Sequence, residues 1–262
     1  MNFAPPLEPT RSLRGVPAPA QRADARPSLV MLAEAGTPPP RPPNLLASLK
    51  PAQRETVLNR GIRKVFGRGR ALFRQGEQHD GLFIIESGMV KVFYTAPSGR
   101  EITLGYWAPG NFVGGPSVFQ RDRHVWTGVA TRSTTVLAFS AADLRHLIGL
   151  MPEFGIGIIE GLSFKGKCYS VLAQMLGTRS ISNRLELLLH SLCELYGVPE
   201  NGGIAIRSAF SQQDLANMVG ATRQWVTISL NRLQEAGVLI SGKREILVCR
   251  PDLLASRANG VE

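Results

Sequence analysis

The 262-residue sequence predicts an α+β chain: an N-terminal antiparallel β jelly roll, a long helix, and a C-terminal winged helix-turn-helix. Three observations carry this expectation. Between Gly61 and Phe139, closely spaced glycines punctuate short runs with period-two alternation, as in an antiparallel barrel or jelly roll. After Ala141 the apolar spacing lengthens to three and four, the period of a helix. From Ser211 to Leu233 the chain reads as two short capped helices joined at Gly220.

Taken in order, residues 1–43 hold eleven prolines and few aromatics, too little apolar surface to offset the entropy of ordering. They are expected to form a disordered or polyproline-like arm, and deleting residues 1–40 is expected to leave folding nearly unchanged. The jelly roll is expected over 44–147. Within it Val90, Val92 and Tyr94 share one face, Met89, Lys91 and Phe93 the other, and Ile102, Leu104 and Tyr106 repeat the spacing. A helix and hinge follow over 148–180. The stretch from about Pro152 to Thr178 is long for a helix flanking a small barrel, so the stripe from Phe154 to Leu176 is expected to bury itself against a second copy. Gly155, Gly157, Gly161 and Gly166 each cost about 1 kcal/mol relative to alanine inside a helix. They either permit close helix approach or mark a segment ordered only by a ligand. The same glycines do not make a dinucleotide-binding turn, because the last gap is too long and no strand precedes it. Residues 181–262 form the last domain.

Composition narrows the function classes. The longest apolar runs fall far short of a membrane span, and prolines and arginines interrupt any signal-peptide core, so a cytoplasmic protein without membrane contact is expected. Cys168, Cys193 and Cys249 are too far apart for a disulfide framework or a zinc knuckle. The formal charge of +10 is spread as +2 over residues 1–43, +7 over 44–178 and +1 over 179–262. The excess therefore lies outside the helix-turn-helix, and a nucleic-acid reading must rest on the motif itself.

That motif runs from Phe210 to Ile240. Ser211 is placed to cap the first helix, with Leu215, Met218 and Val219 inward, and Gly220 supplies the turn. Thr222 caps the second, with Val226, Leu230 and Leu233 inward, which leaves Arg223, Gln224 and Thr227 on the solvent face at the end that enters a major groove. Arginine pairs bidentately with guanine and glutamine with adenine, so these types suit base reading. Ser211, Gln212, Gln213, Thr222, Arg223, Gln224, Thr227 and Ile228 are the candidate DNA contacts. Lys243 and Arg244, at the tip of a hairpin from Ile240 to Val248, are candidate phosphate contacts. Trp225 is assigned to packing or a phosphate.

The order of these parts resembles the Crp/Fnr family of transcription regulators. The matching residues are Arg74–Glu77, Leu82–Val92, Asn111–Gly115 and Val219–Gln224. The resemblance implies a cyclic-nucleotide-binding-like barrel and a homodimer on an inverted repeat of double-stranded DNA. It also implies RNA polymerase as a partner if the protein activates, and an unidentified small-molecule effector between barrel and long helix. It places Gly114, Gly115, His124, Val125, Tyr169 and Ser170 at that pocket. Members that bind cyclic AMP carry a glutamate and an Arg-Ser or Arg-Thr pair where this chain has Gly115, His124 and Val125. Without the arginine a buried phosphate loses a charge-assisted clamp, so ordinary cyclic AMP is not the expected signal; Arg121, Arg123 and Arg132 are nearby substitutes. No cysteine precedes Cys168, so no iron–sulfur cluster is expected. Haem would need an axial ligand from His79, His124, His146 or His190.

The alternative is a cupin-like metal enzyme barrel with an accessory DNA-binding domain. Such barrels need clustered His and Glu. Four dispersed histidines without an HxH pair offer no such cluster, and neither a GxSxG elbow nor a phosphate-cradling GxxxxGK[ST] loop is present. No catalytic residue and no metal ligand is expected.

Overall fold

The computed structural model describes residues 28–29, 42–120, 122–200, 202–207, 210–242 and 245–258. Helix α1 (Pro51–Arg60) leads into ten strands. These are β1 (Ile62–Phe66), β2 (Ala71–Phe73), β3 (Gln78–His79), β4 (Leu82–Ser87), β5 (Val90–Thr95), β6 (Glu101–Trp107), β7 (Phe112–Gly114), β8 (Asp122–Arg123), β9 (Thr127–Ala130) and β10 (Thr134–Phe139). They form two four-stranded antiparallel sheets, ordered β1-β10-β4-β7 and β2-β9-β5-β6, with β3 and β8 as a separate pair. Phe73, Val90, Val92 and Trp107 from one sheet meet Ile85, Val113 and Val136 from the other in one buried cluster, the jelly-roll core.

A bulge interrupts the spacing expected for Ile102, Leu104 and Tyr106 on β6. The β5–β6 register shifts between Val92, opposite Gly105, and Phe93, opposite Thr103, so Leu104 is the extra residue on β6; on β5, Val90 and Val92 are buried and Tyr94 is exposed.

Helix α2 (Ala141–Leu150) is started by Ser140, whose hydroxyl accepts from the Asp143 amide at 3.1 Å. Helix α3 (Pro152–Thr178) follows with Pro152 in its first turn. Its apolar stripe is not free for a partner, contrary to expectation. Phe154, Ile158, Leu172 and Met175 are buried within the chain, and the exposed apolar residues are instead Ile156 and Ile159. The glycines explain the change. A Cβ at Gly157 would meet Leu45 at 2.7 Å and one at Gly161 would meet Phe112 at 2.4 Å, so the bare backbone lets α3 lie directly on the barrel.

Helix α4 (Ile181–Tyr196), capped by Ser180, opens the last domain. Strands β11 (Gly197–Glu200), β12 (Gly203–Ile206), β13 (Leu239–Ser241) and β14 (Ile246–Val248) form a sheet ordered β11-β12-β14-β13. Between β12 and β13 lie α5 (Gln212–Val219) and α6 (Arg223–Glu235), and α7 (Pro251–Ala258) packs on α4.

Two residues of the proline-rich segment contradict the expectation of an arm without packed contacts. Leu29 is 2% exposed and pairs with Tyr106 through reciprocal backbone hydrogen bonds of 2.9 Å. The Ser28 hydroxyl donates to the Asn111 side chain and accepts from the Ala108 amide. The composition argument averages over the segment, and one leucine with a slot to fill escapes it. The rest of the arm lies outside the described residues.

Candidate nucleic-acid interface and effector cavity

The reading head is built by local rules. The Ser211 hydroxyl accepts from the Asp214 amide at 3.2 Å, and the Asp214 carboxylate accepts from the Ser211 amide at 2.9 Å, a reciprocal cap on α5. Gly220 ends α5 with φ 69° and ψ 40°, a left-handed conformation that only glycine adopts freely. The Thr222 hydroxyl then accepts from the Trp225 amide at 3.2 Å to start α6. Leu215, Met218, Val219, Val226, Leu230 and Leu233 are buried, as the sequence predicts. Ser211, Gln213, Thr222, Arg223, Gln224 and Ile228 are exposed. Thr227 and Gln212 are half-buried and tied together at 2.7 Å. Trp225 packs partly buried against the core of this domain, which favours the packing assignment. Lys243 and Arg244 lie outside the described residues.

Sequence reasoning missed what faces this head. The β6 strand and the β5–β6 turn dock on α5. The Arg100 guanidinium donates to the Gly220 carbonyl, the Asn217 amide donates to Glu101 at 2.8 Å, and the Tyr106 hydroxyl donates to Asp214 at 3.2 Å. Lys91 lies 3.3 Å from Glu101 and 3.6 Å from Asp214. Burial and the Asp214 carboxylate both push the Tyr106 hydroxyl well above its ordinary range, so it stays a donor. Thr222 and Arg223 share a cleft with Ser98, Gly99 and Arg100.

A second feature is a cavity of about 390 Å³ between β6, β7 and α3. Of the residues assigned to an effector pocket, Gly114, Gly115 and Tyr169 line it. The other three do not. His124 is buried elsewhere, stacked on Phe73 at 4.4 Å and edge-on to His79 at 4.6 Å. Val125 is 45% exposed, and the Ser170 hydroxyl turns back to donate to the Gly166 carbonyl at 3.0 Å. Neither described arginine weighed as a phosphate substitute reaches the lining. Arg123 donates to the Gly76 carbonyl and Arg132 to the Gly88 carbonyl. Arg121 lies outside the described residues. Trp107, Phe112, Trp126 and Lys165 line the cavity instead, and sequence reasoning missed them. A lysine at a helical position between buried neighbours was the available signal.

The two barrel histidines are not dispersed as the sequence suggested; β3 and the turn before β9 bring them together. Burial, and the neighbouring His79, push His124 down to about 4, and burial holds His79 below its ordinary value. No cluster of three or more His, Cys, Asp or Glu able to hold a metal occurs among the described residues, and no described helix is long and apolar enough to cross a membrane.

Comparison with known proteins agrees with this arrangement. Residues 63–149 match the model for a cyclic nucleotide-binding domain and residues 186–257 the model for a Crp-like helix-turn-helix domain. The CRP-like cAMP-activated global transcriptional regulator of Mycobacterium tuberculosis is 31% identical over 196 residues, which cover 74% of this chain and 86% of that protein. The global nitrogen regulator of Synechococcus elongatus is 27% identical, with 73% and 87% covered. Among solved structures, the c-di-GMP responsive regulator CLP of Xanthomonas campestris superposes with a TM-score of 0.70 at 24% identity, covering 76% of this chain and 99% of that one. A CooA variant from Carboxydothermus hydrogenoformans gives 0.66 at 20% identity, with 78% and 90% covered. Those two likenesses speak for the fold, and the mycobacterial relative, matched over most of its length, speaks for the family: the chain belongs to the Crp/Fnr family of DNA-binding transcription regulators.

Proposed function

We propose that this regulator works in the cytoplasm as a homodimer on an inverted repeat, and that a small molecule in the cavity between barrel and α3 controls its DNA affinity. The observation that carries the reading is the capped α5–Gly220–α6 unit with Arg223 and Gln224 exposed at the start of its second helix. Side chains there reach base edges in the docking geometry of this motif, and a two-fold dimer sets half-sites ~34 Å apart. Arg223 and Gln224 read bases, and Lys243 and Arg244 hold phosphates. The mycobacterial relative is named for activation by cyclic AMP. This chain departs at the ligand: Gly115 stands where a ribose-binding carboxylate is expected and no arginine among the described residues lines the cavity, so cyclic AMP does not switch it.

The test is a binding-site selection on wild type, Arg223→Ala and Lys243→Ala at two salt concentrations, with and without cyclic AMP. Arg223→Ala is expected to cost about 1–3 kcal/mol and to relax preference at one symmetric pair of positions. Lys243→Ala should weaken all sequences alike and lower the salt slope by about one ion per half-site. If Arg223→Ala leaves the selected motif unchanged, Arg223 is a phosphate contact and the reading face is misassigned.

A further inference from the structure

The cavity wall is mostly apolar, with one charged exception among the described residues. Trp107, Phe112, Trp126, Leu162 and Tyr169 give it rings and hydrocarbon, while Gly114 and Gly166 leave bare backbone and therefore room. The exception is Lys165. Its ammonium lies 3.4 Å from the centroid of the Trp107 ring and 4.9 Å from that of Phe112, and it donates to the Phe112 carbonyl at 2.7 Å.

An ammonium offers three donors, and one is used. The ring faces compensate part of the charge. Among the described residues no carboxylate lines the cavity. Desolvation draws Lys165 down to about 7, and the one ionisable neighbour acting on it is the Cys168 thiol, which burial itself raises to about 11. Tyr169 is likewise raised, and His79 and His124, behind Gly115, are held neutral by burial. None of these supplies a negative charge near neutral pH. A cation taken out of water without a counter-ion is destabilising, and a ligand that brings the missing charge gains what the protein lacks.

The rest of the wall constrains the ligand body. A nucleotide would set its ribose hydroxyls and base edges against a mostly apolar wall whose polar side-chain groups besides Lys165 are the Tyr169 hydroxyl and two indole N–H groups, that of Trp126 already given to the Gly114 carbonyl. A flat hydrocarbon body suits a wall to which both Trp107 and Trp126 contribute indole surface, since burial against rings favours it.

We propose that this cavity binds a small, flat, largely apolar anion, with its carboxylate or an equivalent acidic group on the Lys165 ammonium and its hydrocarbon body against the indole surface of Trp107 and Trp126. The proposal rests on the reading of this cavity as the effector site.

The experiment uses the full-length protein and a panel of benzoate, 2-naphthoate and octanoate, each with its primary amide, alongside cyclic AMP. Binding is measured by calorimetry and by tryptophan fluorescence, since Trp107 and Trp126 are two of the three tryptophans. At pH 6 at least one carboxylate is expected to bind about tenfold or more tighter than its amide. That preference should shrink at pH 9, disappear in Lys165→Met and persist in Lys165→Arg. Three results would each overturn the proposal: no carboxylate outbinds its amide in wild type, Lys165→Met keeps the preference, or cyclic AMP binds tighter than every carboxylate. If Lys165→Met does not unfold cooperatively, the amide comparison in wild type and Lys165→Arg decides. A carboxylate that binds with this preference but leaves operator affinity unchanged keeps the ligand class and sinks the reading of the cavity as the switch.

Discussion

A charged ammonium over an indole, with no carboxylate beside it, costs the folded chain stability for as long as it keeps its proton. Lys165 titrates at about 7 when folded and near 10.4 when unfolded. Between those values the unfolded chain holds a proton that the folded chain has released, so stability rises with pH across the window. Lys165→Met removes the charge and keeps the volume. It is expected to raise stability at pH 6–7 by on the order of 2 kcal/mol and to flatten the rise towards pH 10, both read from urea midpoints. No gain at pH 6 would mean the rings compensate the charge fully. His124 acts in a different window. It is neutral when folded down to about 4, whereas an unfolded histidine protonates near 6.5, so its stability is present above 6.5 and lost as pH falls towards 4. The loss is on the order of 2–3 kcal/mol by pH 4. His124→Asn should flatten the acid limb even where it lowers the plateau, and a variant that loses stability in parallel with wild type would place the acid sensitivity elsewhere.

Helix α3 shows how one element can be read correctly in extent and wrongly in facing. Its length follows from Pro152 at one end and the Ser180 cap of the next helix at the other, both visible in sequence. Its buried face does not, because Gly155, Gly157 and Gly161 have no side chain to register in an apolar pattern, yet they are what lets the helix close on Ile148 of α2, on Leu45 and on Phe112 of the barrel. The stripe therefore serves this chain, and Ile156 and Ile159, 55% and 64% exposed, are left for a partner. Ile159→Glu is expected to give a monomer in sedimentation at micromolar concentration and to weaken operator binding accordingly, with the thermal transition of the barrel little changed. A dimer that survives the glutamate would put the contact on another surface. The reading head was legible almost residue by residue, since capping and turn chemistry act within four positions. The candidate cavity was legible only at Gly114, Gly115 and Tyr169, because Trp107, Trp126 and Lys165 come from three stretches distant in sequence. The β6 bulge and the seat of Leu29 are likewise long-range facts that no local period carries.

At the scale of the molecule, β6 joins the two sites. Adjacent residues of a strand face opposite sides, and here Trp107 forms the wall beneath the Lys165 ammonium while Tyr106 reaches across to Asp214 at the cap of α5. Leu29, Leu172, Met175 and Met218 fill the seam between barrel and reading head. On this seam Arg100 holds the Gly220 carbonyl and Glu101 holds Asn217, which keeps the barrel turn beside the start of α6. A recognition helix needs DNA backbone on both sides of its N-terminus when it enters a major groove ~12 Å wide. The cleft that Arg223 shares with Ser98, Gly99 and Arg100 leaves one of those sides to the barrel. This arrangement therefore competes with DNA, and weakening it should shift the population towards the binding form. Arg100→Ala removes a hydrogen bond from a charged donor, a contact worth roughly 1.5–3 kcal/mol. It is expected to tighten operator binding in the absence of any effector by about tenfold or more, measured by fluorescence anisotropy at fixed salt. Arg63→Ala, which loses an ion pair to Glu86 on the other sheet, is the control and should leave operator affinity unchanged. If Arg100→Ala binds operator no better than Arg63→Ala does, the docked seam is compatible with DNA, and control by the cavity must run along α3 instead of through β6.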